Sequence, residues 1–108
     1  MFVDFNKYQQ KARETAIYKD SITYPALGLA SECGEVLDII KKVMRDKDGE
    51  FTRDDRLDIR LELGDVLWYV AQLASDLDLD MESIAIRNLE KLRVRKENDT
   101  IKGSGDHR

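Results

Sequence analysis

Apolar residues recur at helical spacing through four stretches of the chain, and nowhere do they alternate as a half-buried strand would. Asp4 is placed to cap a first helix that reaches about Tyr18 and turns Phe5, Tyr8, Ala12 and Ala16 inward. Lys19 to Tyr24 has no period and reads as a connection. Pro25 suits the first turn of a second helix, where its missing N–H is not needed, and that helix runs to about Arg45. Along it Ala26, Leu29, Ala30, Cys33, Val36, Leu37, Ile40, Val43 and Met44 keep the i, i+3, i+4, i+7 pattern. At about 100° per residue they fill an arc of roughly 140°, and Cys33 is expected in the core with them. Residues 46–51 form a polar, glycine-containing loop. Thr52 and Asp55 make a weak capping arrangement for a third helix from about Asp54 to Ser75. Residues 76–80 connect it to a fourth helix from Met81 to about Asn98, capped by Asp80 and packing through Ala85, Leu89 and Leu92. The tail, 100–108, contains Gly103-Ser104-Gly105 and is expected to be irregular. The pattern predicts an all-α bundle in one domain, 1–108.

Residues 61–71 of the third helix are almost wholly apolar, which predicts a helix surrounded by protein, yet they include Glu62 and Asp65. A desolvated carboxylate needs a cation or a proton, and no neighbouring position in this stretch supplies a cation. Glu32 and Glu35 repeat the same i, i+3 spacing on the second helix, so each pair shares a face. Glu32 falls at the edge of the apolar arc, and Glu35 lies about 60° beyond it, at a cleft rim. Four carboxylates converging from two helices ask for a divalent metal. The ordinary alternative is that they are solvated or paired with some of the 18 Lys and Arg residues. That alternative suits Glu35 best and Glu62 and Asp65 least.

All-oxygen ligation suits Mg²⁺, with Mn²⁺ as a substitute. Redox di-iron chemistry in a bundle needs Glu-x-x-His pairs, and the single histidine is His107, in the tail. The acidic loop at 46–51 lacks the twelve-residue spacing and closing Glu of a calcium loop. Mg²⁺ binds through a few carboxylates together with substrate phosphates, so the implied partner is a phosphorylated small molecule. Asn88, Lys91 and Arg95 fall within roughly 60° of one another on the fourth helix, and Lys42 lies near the line of Glu35. These four are the candidates to hold phosphate oxygens. Tyr69, four residues after Asp65, points the same way and is the candidate to contact a base or sugar.

Charged residues make up 37% of the 108 and aromatics 7%, so a lone chain has a modest core that an oligomer would complete. A net charge of −4 argues against a nucleic-acid-binding surface but not against a phosphate ligand whose charge a metal offsets. No apolar run approaches the roughly 20 residues of a membrane span, and no secretory pattern opens the chain. One cysteine excludes an intrachain disulfide and a multi-cysteine zinc site. A cytoplasmic setting follows as the expectation.

Glu32-x-x-Glu35, a gap of 26 residues, then Glu62-x-x-Asp65 resembles the signature of the MazG-type nucleoside triphosphate pyrophosphohydrolases, all-α enzymes related to the all-α dUTPases. Tyr24-Pro-Ala-Leu-Gly-Leu-Ala30, Glu62-Leu-Gly-Asp-Val-Leu-Trp-Tyr69 and Asn88-Leu-Glu-Lys-Leu92 strengthen the likeness, which covers nearly the whole chain. The ending Gly103-Ser-Gly-Asp-His-Arg108 resembles that of short bacterial and phage members. Ser31 stands where fuller members carry the first of two adjacent glutamates, a residue the short members often lack.

The resemblance implies a bundle of four to five helices completed by oligomerisation. It implies Mg²⁺-dependent hydrolysis between the α- and β-phosphates, giving a nucleoside monophosphate and pyrophosphate. It also implies a homodimer or homotetramer with a cleft built partly across subunits. Glu32, Glu35, Glu62 and Asp65 are then the metal-binding and catalytic residues, with Glu32 or Glu35 as general base. Two other classes fit the same sequence: a non-catalytic helical module that binds nucleotides or a protein, and a structural helical oligomer.

Overall fold

A computed structural model describes residues 1–107. The described residues form four helices and no strand: α1 (Phe5–Arg13), α2 (Thr23–Asp46), α3 (Arg53–Asp76) and α4 (Met81–Glu97). α2 and α3 make the main antiparallel pair, α1 packs on α3, and α4 rests chiefly on α1. The tail is irregular through 107, and Arg108 lies outside the described residues.

Local chemistry sets the ends of these helices. Asp4 accepts from the Lys7 N–H at 2.7 Å and Asp80 from the Ser83 N–H at 2.8 Å, so both act as N-caps. At α3 the Thr52 hydroxyl accepts from the Asp55 N–H at 3.1 Å and the Asp55 carboxylate accepts from the Thr52 N–H at 2.9 Å, a full capping box. Lys47 adds an ion pair to Asp55 at 2.8 Å. α1 stops at Arg13, short of the expected Tyr18. There Thr15 turns its hydroxyl back onto the Ala12 carbonyl at 2.7 Å and accepts from the Trp68 indole N–H at 2.8 Å, which draws the chain off the helix axis.

The main core cluster is Ala12, Ala71, Ala74 and Met81, with Tyr8, Trp68 and Val70 against them, and Val43 of α2 is buried outside it. Three of the cluster are alanines, which let α1 and α3 approach closely. α4 is anchored by its first turn: Gln9 of α1 accepts from the Met81 N–H at 2.8 Å and Asn6 accepts from the Glu82 N–H at 3.1 Å. Beyond that turn Leu89 is 67% and Leu92 40% exposed, so the expected packing face of the fourth helix is half open.

The expectation that residues 61–71 are enclosed is corrected too. Leu61 is 69% and Leu63 52% exposed, because α2 and α1 cover only two flanks of α3. Cys33, Leu37 and Met44 are likewise exposed on α2. The line that α2 presents to α3 runs instead through Pro25, Leu29, Glu32, Val36, Ile40 and Val43. The long apolar arc of this helix therefore contains two faces, one against α3 and one open. The accessible surface is 8352 Å², against roughly 6,200 Å² for a compact monomer of this mass. The radius of gyration is 16.7 Å, against roughly 13 Å expected.

Asp55 sets an acid limit on this fold. The Lys47 ammonium, helped by the Thr52 N–H, holds its carboxyl at about 2 against an ordinary 3.8. A depressed folded value means stability that is complete above about pH 4 and is lost as pH falls toward 2. Asp55→Asn is expected to lower Tm at neutral pH and to flatten its decline between about pH 4 and 2. Thermal melts across that range test this, and a wild-type acid profile in the variant contradicts it.

Candidate functional site

Glu32 lies on the α2 line that meets α3, and Glu62 and Asp65 lie on the facing stretch of α3. One carboxylate oxygen from each of the three falls within 4.8 Å of the others. Among the described residues no ion pair involves any of them. Burial pushes the Glu32 carboxyl above its ordinary value, and the Asp65 charge, a hydrogen bond with Glu62 and the charges of Glu62 and Glu35 add to the rise. Glu35 is exposed and outside the group of three, but close enough for its charge to act on Glu32. Like charges with no cation between them are the donor set a hard divalent ion satisfies.

The acids border a ring cluster made by Tyr18 of the connection before α2, Tyr24 of the first turn of α2, and Trp68 and Tyr69 of α3. Tyr18 stacks on Tyr24 with centroids 5.1 Å apart, Tyr24 lies 6.1 Å from Tyr69, and Trp68 meets Tyr69 edge-on at 5.0 Å. Tyr69 is pushed up to about 12, first by its hydrogen bond with Tyr24, then by burial and by the charges of Tyr24, Glu32 and Asp65. It is a neutral phenol at any physiological pH. Tyr8 is raised as well, by burial and then by the Asp65 charge, which places its ring near the same acid.

Asp76 organises that connection. Its side chain is 1% exposed, pairs with Arg13 at 2.9 Å and accepts from the Tyr18 hydroxyl at 2.9 Å and the Ile22 N–H at 2.8 Å. Burial alone would raise its carboxyl, but the Ile22, Tyr18 and Arg13 donors hold it below the ordinary value. Ile22 sits at φ 65 and ψ −57 while the Thr23 N–H donates to the Ser21 carbonyl at 2.7 Å, a γ-turn of the rare strained hand. The Asp76 bond holds this turn in place, and the turn delivers Tyr24 to Tyr69.

The remaining predicted residues sit elsewhere. Lys42 pairs with Asp38 at 2.9 Å. Asn88 is exposed on α4, Lys91 is half-buried and Arg95 buried, and both cations reach Asp106 of the tail. Within one chain α4 belongs to the α1 side of the molecule.

Periodicity missed Tyr18, Tyr24 and Asp76, because Tyr18 lies in a connection and the other two fall at helix ends that the pattern leaves to the connections. Gly28 was a readable signal, since a glycine inside a helix marks close packing. A Cβ built there would overlap the Tyr69 ring.

The family model described as the MazG nucleotide pyrophosphohydrolase domain matches residues 22–99. The chain is 46% identical over 116 residues to the Gene 37 protein of Mycobacterium phage L5, an alignment that covers the whole of both chains. No solved structure matches. The chain belongs to the MazG nucleotide pyrophosphohydrolase domain family, whose members typically depend on a divalent metal.

The Gly28–Tyr69 contact gives a test of how α2 and α3 are held. In an open helix Gly→Ala gains about 1 kcal/mol, whereas overpacking costs about 1–3 kcal/mol. Gly28→Ala is expected to destabilise the wild type and to stabilise a Tyr69→Ala background. Denaturant titrations of the four chains read the sign change, and an additive cycle contradicts the contact.

Proposed function

We propose that this protein hydrolyses (deoxy)nucleoside triphosphates between the α- and β-phosphates, releasing a nucleoside monophosphate and pyrophosphate. The observation that carries the reading is three carboxylate oxygens within 4.8 Å with no ion-pair partner, in a chain of this family. Glu32, Glu62 and Asp65 would hold Mg²⁺, or Mn²⁺ in its place, with Glu35 at the rim. The donor set fits, being all oxygen and starved of positive charge. A divalent ion there supplies charge neutralisation at the phosphates.

The chain's own residues supply the rest. Glu32, raised toward neutrality, and Glu35, open to solvent, are the two candidates to take the proton of the attacking water. Tyr69, kept neutral, faces the base or sugar beside Tyr24. Asn88, Lys91 and Arg95 contact phosphate or sugar from an α4 that a second subunit brings to the site. Lys42 joins them only by leaving Asp38. The open faces of α2, α3 and α4 and the excess surface support a homodimer or homotetramer. The reading takes residues 1–108 as one domain. It takes the setting as the bacterial cytoplasm, phage-encoded in keeping with the phage relative.

Pyrophosphate release from a panel of nucleoside triphosphates, with Mg²⁺ and then with EDTA, is the test. Glu62→Gln, Asp65→Asn and Glu35→Gln are expected to lose more than the roughly 10–100-fold typical of residues that merely support a ligand, with the helical fold intact. Near-normal turnover in any one of them removes its assigned role. Nucleotide binding without turnover in either metal moves the assignment to a binding module.

The same site predicts metal-linked stability. Mg²⁺ is expected to raise the wild-type Tm and to leave that of Glu32→Gln nearly unchanged. In EDTA the variant is expected to melt above the wild type, because a carboxyl with a raised folded value loses stability as pH climbs through it. Equal Tm with and without metal in the wild type points to a structural oligomer.

A further inference from the structure

The tail folds back on the end of α4 beside an open groove of about 590 Å³ lined by Arg87, Glu90, Lys91, Arg95, Asp106 and His107. Arg95 is 5% exposed, so its charge needs a partner, and the partner it has fits poorly. One oxygen of Asp106, Oδ1, accepts from both Lys91 Nζ at 3.0 Å and Arg95 Nη2 at 3.2 Å. The same Nη2 donates to the Gly105 carbonyl at 3.2 Å. Arg95 Nε is buried and has no hydrogen-bond partner among the described residues.

A guanidinium presents Nε and Nη as a fork for two oxygens on one centre. Asp106 fills half of it. Its side chain is 74% exposed, and it follows Gly103 at φ 127 and Gly105 at φ 82 in the tail. Solvent screens the Asp106 side of both pairs, which limits what they contribute. The groove thus holds a buried, under-used guanidinium and an ammonium, covered by a carboxylate that is easily moved.

We propose that Asp106 is a built-in occupant of the Lys91–Arg95 pair already assigned to phosphate, and that a pyrophosphate-type anion displaces it. A phosphoryl group offers several oxygens on one centre and engages the Nε donor that Asp106 leaves unmet. The tail then acts as an internal competitor that keeps this cationic end closed until a polyphosphate arrives. The idea deepens the pyrophosphohydrolase reading and rests on it for the identity of the anion.

Calorimetric titration of the full chain with inorganic pyrophosphate in EDTA tests it, in both the wild-type and Glu62→Gln backgrounds. Neither metal nor turnover is then involved, so failure here and failure of the hydrolase reading are separate results. Asp106→Asn is expected to bind pyrophosphate about two- to fivefold more tightly than the wild type, the range an exposed ion pair allows. Arg95→Lys is expected to lose at least about tenfold, because a point charge cannot replace the fork. Unchanged or weaker binding by Asp106→Asn, or no binding by any of these chains, overturns the proposal and leaves Asp106 as a staple for the tail.

Discussion

The contact between α2 and α3 carries three carboxylates where a helix pair ordinarily carries leucines, and the rest of the structure accommodates that constraint. Glu32 and Glu62 each stand on the line along which the two helices meet, so the repulsion acts on the packing itself. Burial and neighbouring charge raise the Glu32 carboxyl, which marks the repulsion among the acids. What holds the pair together lies at the N-terminal end of α2, where the Tyr69 ring occupies the space left by Gly28. Further along, Ala71 and Ala74 bring α1 onto the other flank of α3. The acids are kept together by packing on either side of them.

The open faces follow from the same economy of core. Four buried apolar residues at the α1–α3–α4 junction are few for a chain of 108, and Gln72, wholly buried, spends part of its side chain on Arg13. Leucines at 61, 63, 67, 89 and 92 remain in contact with water. On the proposed reading they belong between copies of the chain. That arrangement also brings α4, with its cations, toward an acid site that one chain leaves without any.

Helix number, caps and the acid spacing were legible in the sequence, because each rests on local rules that tertiary structure did not override. The capping box at Thr52 and the caps at Asp4 and Asp80 are instances. Which neighbour an apolar face meets was not legible. On α2 a single broad arc concealed two surfaces, so Cys33 was assigned inward while Glu32, placed at the edge, turned out to be on the seam. Periodicity reports that a face is apolar and says nothing of what covers it. The ring cluster was invisible for a different reason. Tyr18 and Tyr24 reach Tyr69 through a strained turn at Ile22, which is held by Asp76, 54 residues away in the chain.

Charge is divided along this molecule in a way that bears on how a polyphosphate is held. The α2–α3 seam offers negative oxygens, and the end of α4 offers two cations, one buried with its guanidinium only half satisfied. Neither end suits a triphosphate alone: the seam repels it until positive charge is supplied, and the α4 site is covered by Asp106. A ligand that is itself polyanionic resolves both conditions. On the proposed reading it would share a divalent ion at the seam and displace the single carboxylate from the fork. On that reading the substrate class named for the family would relieve both of these charge arrangements among the described residues.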